Sequence, residues 1–117
     1  MRVRVLILLC MLGLGMAGAQ PIVHKKTTAL STARQMYGSA VLGDYLYILG
    51  GHIGTGYTNS VEVAHIGPDG MLENWKPTTN MPSPLSYIGN QVISAGNTLY
   101  VVGGVDMDQQ VKYNSIF

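Results

Sequence analysis

The sequence predicts an all-β protein built from tandem four-stranded antiparallel units, and three observations predict it. Leu46-Tyr47-Ile48-Leu49-Gly50-Gly51 returns as Leu99-Tyr100-Val101-Val102-Gly103-Gly104. Each copy is an apolar, β-branched or aromatic run ended by a glycine pair that lets backbones pass closely. The spacing, about fifty residues, is that of a structural repeat. From Gln20 onward, short apolar runs are broken by Gly, Pro, Asn and Asp, and none carries helical periodicity.

The chain has 117 residues, 47% of them hydrophobic, which suits one small buried core and argues against disorder. A formal charge of +1 without a Lys/Arg cluster gives no electrostatic footprint for nucleic acid or an anionic membrane surface, so neither partner is expected.

Residues 1–19 read as a secretory leader. Arg2 and Arg4 precede an apolar run from Val5 to Met16, and Ala17-Gly18-Ala19 supplies small residues at a cleavage site. The run is too short for a membrane span, which needs roughly twenty apolar residues. Cys10 lies mid-run after Ile7-Leu8-Leu9, unlike the cysteine of a lipoprotein leader. Cleavage after Ala19 leaves a secreted or periplasmic chain starting at Gln20, with no cysteine and hence no disulfide, no membrane span, and a net charge of −1.

The elements follow in order. Residues 20–33 form an N-terminal strand and link, with the strand over Ile22 to Leu30. Tyr37 to Leu42 and Tyr45 to Leu49 form a hairpin whose Gly43-Asp44 connection suits a type II′ turn, with glycine at the position needing positive φ. A third strand spans Ser60 to Ile66, Gly67-Pro68-Asp69-Gly70 turns the chain, and a fourth strand with Trp75 in it spans Met71 to Pro77. Gly89 to Ala95 and Thr98 to Val102, joined by Gly96-Asn97, echo the hairpin, and Asn114-Ser115-Ile116 echoes Asn59-Ser60-Val61 at a third strand.

These residues resemble the kelch repeat, in which a strand ends in Gly-Gly, a Tyr stands some residues later, a Trp lies on the fourth strand and a Pro-containing link follows. Gly50-Gly51, Tyr57, Trp75 and Met81-Pro82-Ser83-Pro84 take those places, and Gly103 and Gly104 repeat the first. Asp69-Gly70-x-Leu72-x-x-Trp75 is similar to bacterial, exported members. Arg34 stands where an Arg often follows the link, whereas its counterpart in the second repeat is Leu85. The resemblance implies four-stranded antiparallel blades of a partial β-propeller: repeat 1 over residues 34–84 and an incomplete repeat 2 over 85–117. It also implies that residues 20–33 act as a clasp strand completing a last blade. At an offset of fifty-one, Lys25, Thr27 and Thr28 match Lys76, Thr78 and Thr79.

A propeller closes with about four to eight blades, so these residues are expected to be a fragment of a larger ring. The faces of Val61, Val63, Leu99 and Val101 are expected to meet water, giving marginal stability and either self-association or a need for the remaining blades.

Candidate ligand-binding residues are His52, directly after the first glycine pair, and Asp106 and Asp108 in the corresponding second loop, since loops at strand ends carry function. His24, His52 and His65 lack metal-ligand spacing, so no metal and no cofactor is expected. No nucleophile set is assembled, and the catalytic residues, if any, are unknown. Tyr47, Tyr57, Tyr100 and Trp75 are expected to pack between strands and blades. The function expected is binding through blade loops, with a protein or glycan partner. A sugar-acid mutarotase or isomerase and a structural or adhesive envelope repeat are the alternatives that the family resemblance leaves open.

Overall fold

A computed structural model describes residues 18–113, 116 and 117. Residues 1–17, where most of the expected leader falls, and the Asn114-Ser115 pair lie outside the described residues. Four strands form one antiparallel sheet in sequence order: β1 (Gly38–Leu42), β2 (Tyr45–Leu49), β3 (Val61–His65) and β4 (Lys76–Pro77). β5 (Val92–Ala95) and β6 (Thr98–Val101) make a second hairpin, and β7 (Val105–Asp106) with β8 (Val111–Lys112) a short ribbon. The described residues contain no helix. This is the all-β, antiparallel blade arrangement of a partial β-propeller.

The hairpin turns have the expected chemistry. Gly43 has φ 58° while Asp44 keeps negative φ, as a type II′ connection requires, and Gly96 repeats this with φ 58°. The glycine pairs serve a different need. Gly50 and Gly51 have φ of 61° and 86°, and a Cβ on either would collide with a neighbouring carbonyl oxygen, Leu85 O for Gly50 and Gln35 O for Gly51. Gly51 N–H donates to Leu85 O at 2.9 Å, so the first unit is bonded through this bare backbone to the link entering the second.

Three expectations need correction. The fourth strand is broken: a two-residue ladder at Lys76 and Pro77, opposite Val63 and Glu62, is separated from an isolated bridge of Leu72 with Ile66, and Trp75 lies between them outside the ladder. On the edge away from β3, Leu72 N–H donates to Thr27 Oγ1 at 2.8 Å, while Glu73 N–H bonds His65 O of β3 at 2.9 Å. In addition, the Leu72 and Glu73 carbonyls accept from Thr28 Oγ1 at 3.1 and 2.8 Å. Residues 20–33 correspondingly contain no strand ladder and are held over the fourth-strand region by those threonines.

The strand predicted from Gly89 starts only at Val92, because Gly89-Asn90 forms a turn closed by Gln91 N–H on Ile88 O at 3.1 Å. That turn absorbs the two residues by which the second hairpin is offset from the first, fifty-three against fifty-one in the link. Gln91 rather than Gly89 is therefore the counterpart of Gly38. Its carbonyl accepts from Val102 N–H at 2.9 Å, matching the pairing of Gly38 with Leu49.

The third correction concerns burial. Cross-strand pairing puts Tyr47, Leu49, Val61 and Val63 on one face of the first sheet, and Val92, Ser94, Leu99 and Val101 on one face of the second hairpin. These faces pack on each other, with Met81, Leu85 and Ile88 of the link between them, so Val61 and Val101 are buried rather than wet. Val63 and Leu99 are half-buried. The face that meets water is the opposite one of the second hairpin, where Ile93 is 52% exposed and Tyr100 41%. Tyr100 thus does not pack between units, whereas Tyr47 does.

The other face of the first sheet carries Ile48, Glu62 and Ala64, all buried. Here the Arg34 guanidinium forms an ion pair with Glu62 and also donates to Gly50 O at 3.1 Å and Ser60 O at 3.2 Å. Glu62 Oε2 accepts from Ser31 N–H at 2.9 Å. The pair ties the link at Ser31 and Arg34 to β3. In the second unit, Leu85 stands in the place of Arg34 and Phe117 in that of Glu62. Leu85 is in the core and Phe117 packs against that core. One unit fills this position with charge, the other with apolar surface.

Breaking a buried ion pair leaves an uncompensated charge and costs about 3–5 kcal/mol. Glu62→Leu is expected to destabilise by that order in urea unfolding. Arg34→Leu combined with Glu62→Phe, the solution of the second unit, is expected to recover at least half of it in a double-mutant cycle. Gly50→Ala, with both positive φ and a collision, is expected to cost at least about 2 kcal/mol. Gly43→Ala, with positive φ but open space around it, is expected to cost about 1 kcal/mol. Equal losses at the two glycines would contradict the close-passage account.

Candidate functional site

The loops that leave the two glycine pairs are built on a common frame. His52 exchanges two backbone hydrogen bonds with Gln35, at 3.0 and 2.8 Å, and Val105 does the same with Ser86, at 2.9 and 3.3 Å. Each loop is closed from the far side by an N–H donated to the second glycine: Thr58 to Gly51 O at 2.9 Å, and Tyr113 to Gly104 O at 3.0 Å. Residues at matching places in the repeat thus bring both loops out at equivalent ends of their units. Beyond this frame the two loops are held by different chemistry.

In the first loop, His52 Nδ1 accepts from Gly54 N–H at 3.1 Å, which leaves the proton of a neutral imidazole on Nε2. The ring stands edge-on to Tyr57, with centroids 4.9 Å apart at 74°, a favoured aromatic geometry. Ile53 N–H bonds Gly56 O at 3.0 Å, so the tip at Gly54 and Thr55 is a tight, exposed turn. A depression of about 360 Å³ beside it is lined by Arg34, Gln35, His52 and Ile53. Tyr57, expected in the packing, is half-buried as the support of His52.

In the second loop, Asp106 is fully buried. Its Oδ1 accepts from Asp108 N–H at 3.1 Å and Gln109 N–H at 3.0 Å, forming the local turn that aspartates favour. Its carboxylate faces inward and fixes the turn, so what this loop offers a ligand is Met107, Asp108, Gln109 and Gln110, all exposed. No hydrogen bond joins His52 to Asp106 or Asp108 among the described residues. Nor do those residues contain three His, Cys, Asp or Glu side chains grouped to hold a metal ion. Gly103 and Gly104 repeat the positive φ of the first pair, at 72° and 106°. Trp75, half-buried, donates from Nε1 to Thr28 O at 3.3 Å and so secures the N-terminal segment.

The frame residues Gln35 and Ser86 and the ion-pair partner Glu62 are not singled out by sequence reasoning. Gln35 and Ser86 act through backbone atoms and leave no residue-type signal. Glu62 had one: a lone acid in the apolar third strand, in a chain whose Arg34 follows the link. The Asp-x-Asp spacing at residues 106–108 likewise signals a side chain closing a turn.

Residues 33–63 match the Kelch motif, a span that takes in Arg34, β1, β2, the first glycine pair, its loop and the start of β3. The chain is 30% identical over 94 residues to the Kelch repeat and BTB domain-containing protein 2 of Horsepox virus, covering 80% of this chain and 16% of that protein. It is 29% identical over 94 residues to the protein of the same name from Cowpox virus (strain GRI-90 / Grishak), covering 80% of this chain and 15% of that protein. The chain therefore spans about one sixth of the length of these curated relatives. The motif match, the two relatives and the glycine-pair geometry together support a kelch-repeat family for this chain, with the repeat itself carried by residues 33–63.

Proposed function

We propose that the chain is a protein-interaction module that meets its partner with the two loop tips, Gly54-Thr55 and Met107 to Gln110. Kelch repeats mediate protein interactions, and the two poxvirus relatives are named for such repeats. The observation that carries the reading is that two repeat-related loops leave equivalent strand ends on the same backbone frame with their tips in water. A rigid scaffold presenting variable loops suits recognition. Anchoring by His52 and Asp106 leaves those two side chains as supports and the neighbouring residues as contacts.

The test is cross-linking and mass spectrometry of the 117-residue chain with its partner. Thr55→Arg with Met107→Glu is expected to weaken partner retention at least about tenfold, consistent with loss of central contacts, with the far-ultraviolet spectrum unchanged. Lys76→Glu, on β4, is expected to leave retention intact. Retention lost only with Lys76→Glu would place recognition on the sheet edge and overturn the reading.

Export is the second part of this proposal, supported by the order of charged, apolar and small residues over positions 1–19 and by the Asp69-Gly70-x-Leu72-x-x-Trp75 pattern. Intact-mass analysis of chain recovered outside the cytoplasm of a secreting bacterial host is expected to give a product beginning at Gln20. Uncleaved chain confined to the cytoplasm contradicts it.

A further inference from the structure

The fold takes hold of its N-terminal segment abruptly. Every residue from Gln20 to Lys26 is exposed, with Ile22 at 85% and Val23 at 70%, and none of them belongs to a strand. Thr27 is the first to be held, its Oγ1 accepting from Leu72 N–H at 2.8 Å. Thr28 follows at once: its Oγ1 donates to Glu73 O at 2.8 Å, and its carbonyl accepts from Trp75 Nε1 at 3.3 Å. Ahead of these two threonines lies the kind of chain end on which peptidases act.

We infer that Gln20, once it is the first residue, cyclises to a pyroglutamate that caps the chain. The inference rests on the export reading above, in which cleavage after Ala19 turns the Gln20 peptide nitrogen into a free α-amine. That amine attacks the side-chain carboxamide at Cδ. The N–Cδ bond closes a pyrrolidone ring, the Cδ–Nε2 bond breaks, and Nε2 leaves as ammonia with a proton from the amine. No oxidant, reductant or co-reactant is consumed. Nucleophile and carbonyl belong to one residue, so the attack is intramolecular. Gln20 is exposed, and Pro21 has no N–H to hold the Gln20 side-chain oxygen away from the amine.

The ring removes the terminal amine and its positive charge, so an exopeptidase that requires a free amine finds none. What the cap guards is the anchor. Stepwise trimming through the exposed residues would arrive at Thr27 and Thr28, and their loss would free the outer edge at Leu72 and Glu73 together with the Trp75 indole. A closed end on an unheld segment therefore protects a contact several residues further along.

The full chain is expressed in the secreting host, and the recovered product is warmed at neutral pH and followed by intact-mass analysis before any digestion. The expected product starts at Gln20, is lighter by one ammonia than the same chain with a free amine, and is blocked to sequential N-terminal degradation. Gln20→Ser, which offers no carboxamide, is expected to keep its full mass and to degrade normally. A second arm compares Pro21→Ala with Gln20→Ser/Pro21→Ala, because proline itself stalls exopeptidases. An aminopeptidase is expected to shorten the double variant toward Thr27 and to leave the single variant at full length. A product that begins at Gln20 and keeps its ammonia and free amine overturns this inference while export stands. An uncleaved chain overturns the export reading and this inference with it. Equal trimming of the two proline variants overturns the protective role of the cap.

Discussion

Everything in this molecule depends on how closely backbone can pass backbone at Gly50-Gly51. One carbonyl from the preceding link, that of Gln35, and one from the following link, that of Leu85, lie where side-chain carbons would otherwise stand. Three N–H groups then complete the crossing: Gly51 to Leu85 O, His52 to Gln35 O and Thr58 to Gly51 O. A buried segment with so many peptide groups is tolerable only when each finds a partner. The glycine pair allows that pairing, and the strand order, the approach of the second unit and the position of the loops all follow from it.

The two units solve the same burial problem with opposite chemistry. In the first, a charged pair is kept in the interior, with Arg34 bound to Glu62 and to two carbonyls. In the second, the corresponding places hold Leu85 and Phe117, and the burial is hydrophobic. Buried ions are retained at a desolvation cost that apolar side chains avoid. What the ion pair adds is direction: guanidinium and carboxylate accept few geometries, so the link of the first unit is fixed by hydrogen bonds where the second is fixed by fit.

The fold class and the first hairpin were legible in the sequence because they rest on local chemistry. Leu46 to Leu49 is a strand by composition, Gly43-Asp44 a turn by φ, and Gly50-Gly51 a close passage by the absence of side chains. The burial of Val61 and Val101 was not legible. It depends on which face of one hairpin meets which face of the next, a property of packing between units rather than of either run alone. The same limit applies to Asp106. Its residue type says polar contact, but only three-dimensional placement reveals that Oδ1 is occupied by the N–H groups of Asp108 and Gln109. The break in the fourth strand was not legible either, nor was the binding of its outer edge at Leu72 by Thr27 and Thr28, more than forty residues away in sequence.

The turn at Gly89-Asn90 lets the second unit carry two residues more than the first without disturbing its hairpin. Phase along this polypeptide is therefore kept by landmarks and not by counting. Comparison of such motifs gains accuracy when the glycine doublets are superposed first and gaps are admitted just ahead of the opening strand. A length difference there is a neutral spacer rather than a sign of divergence.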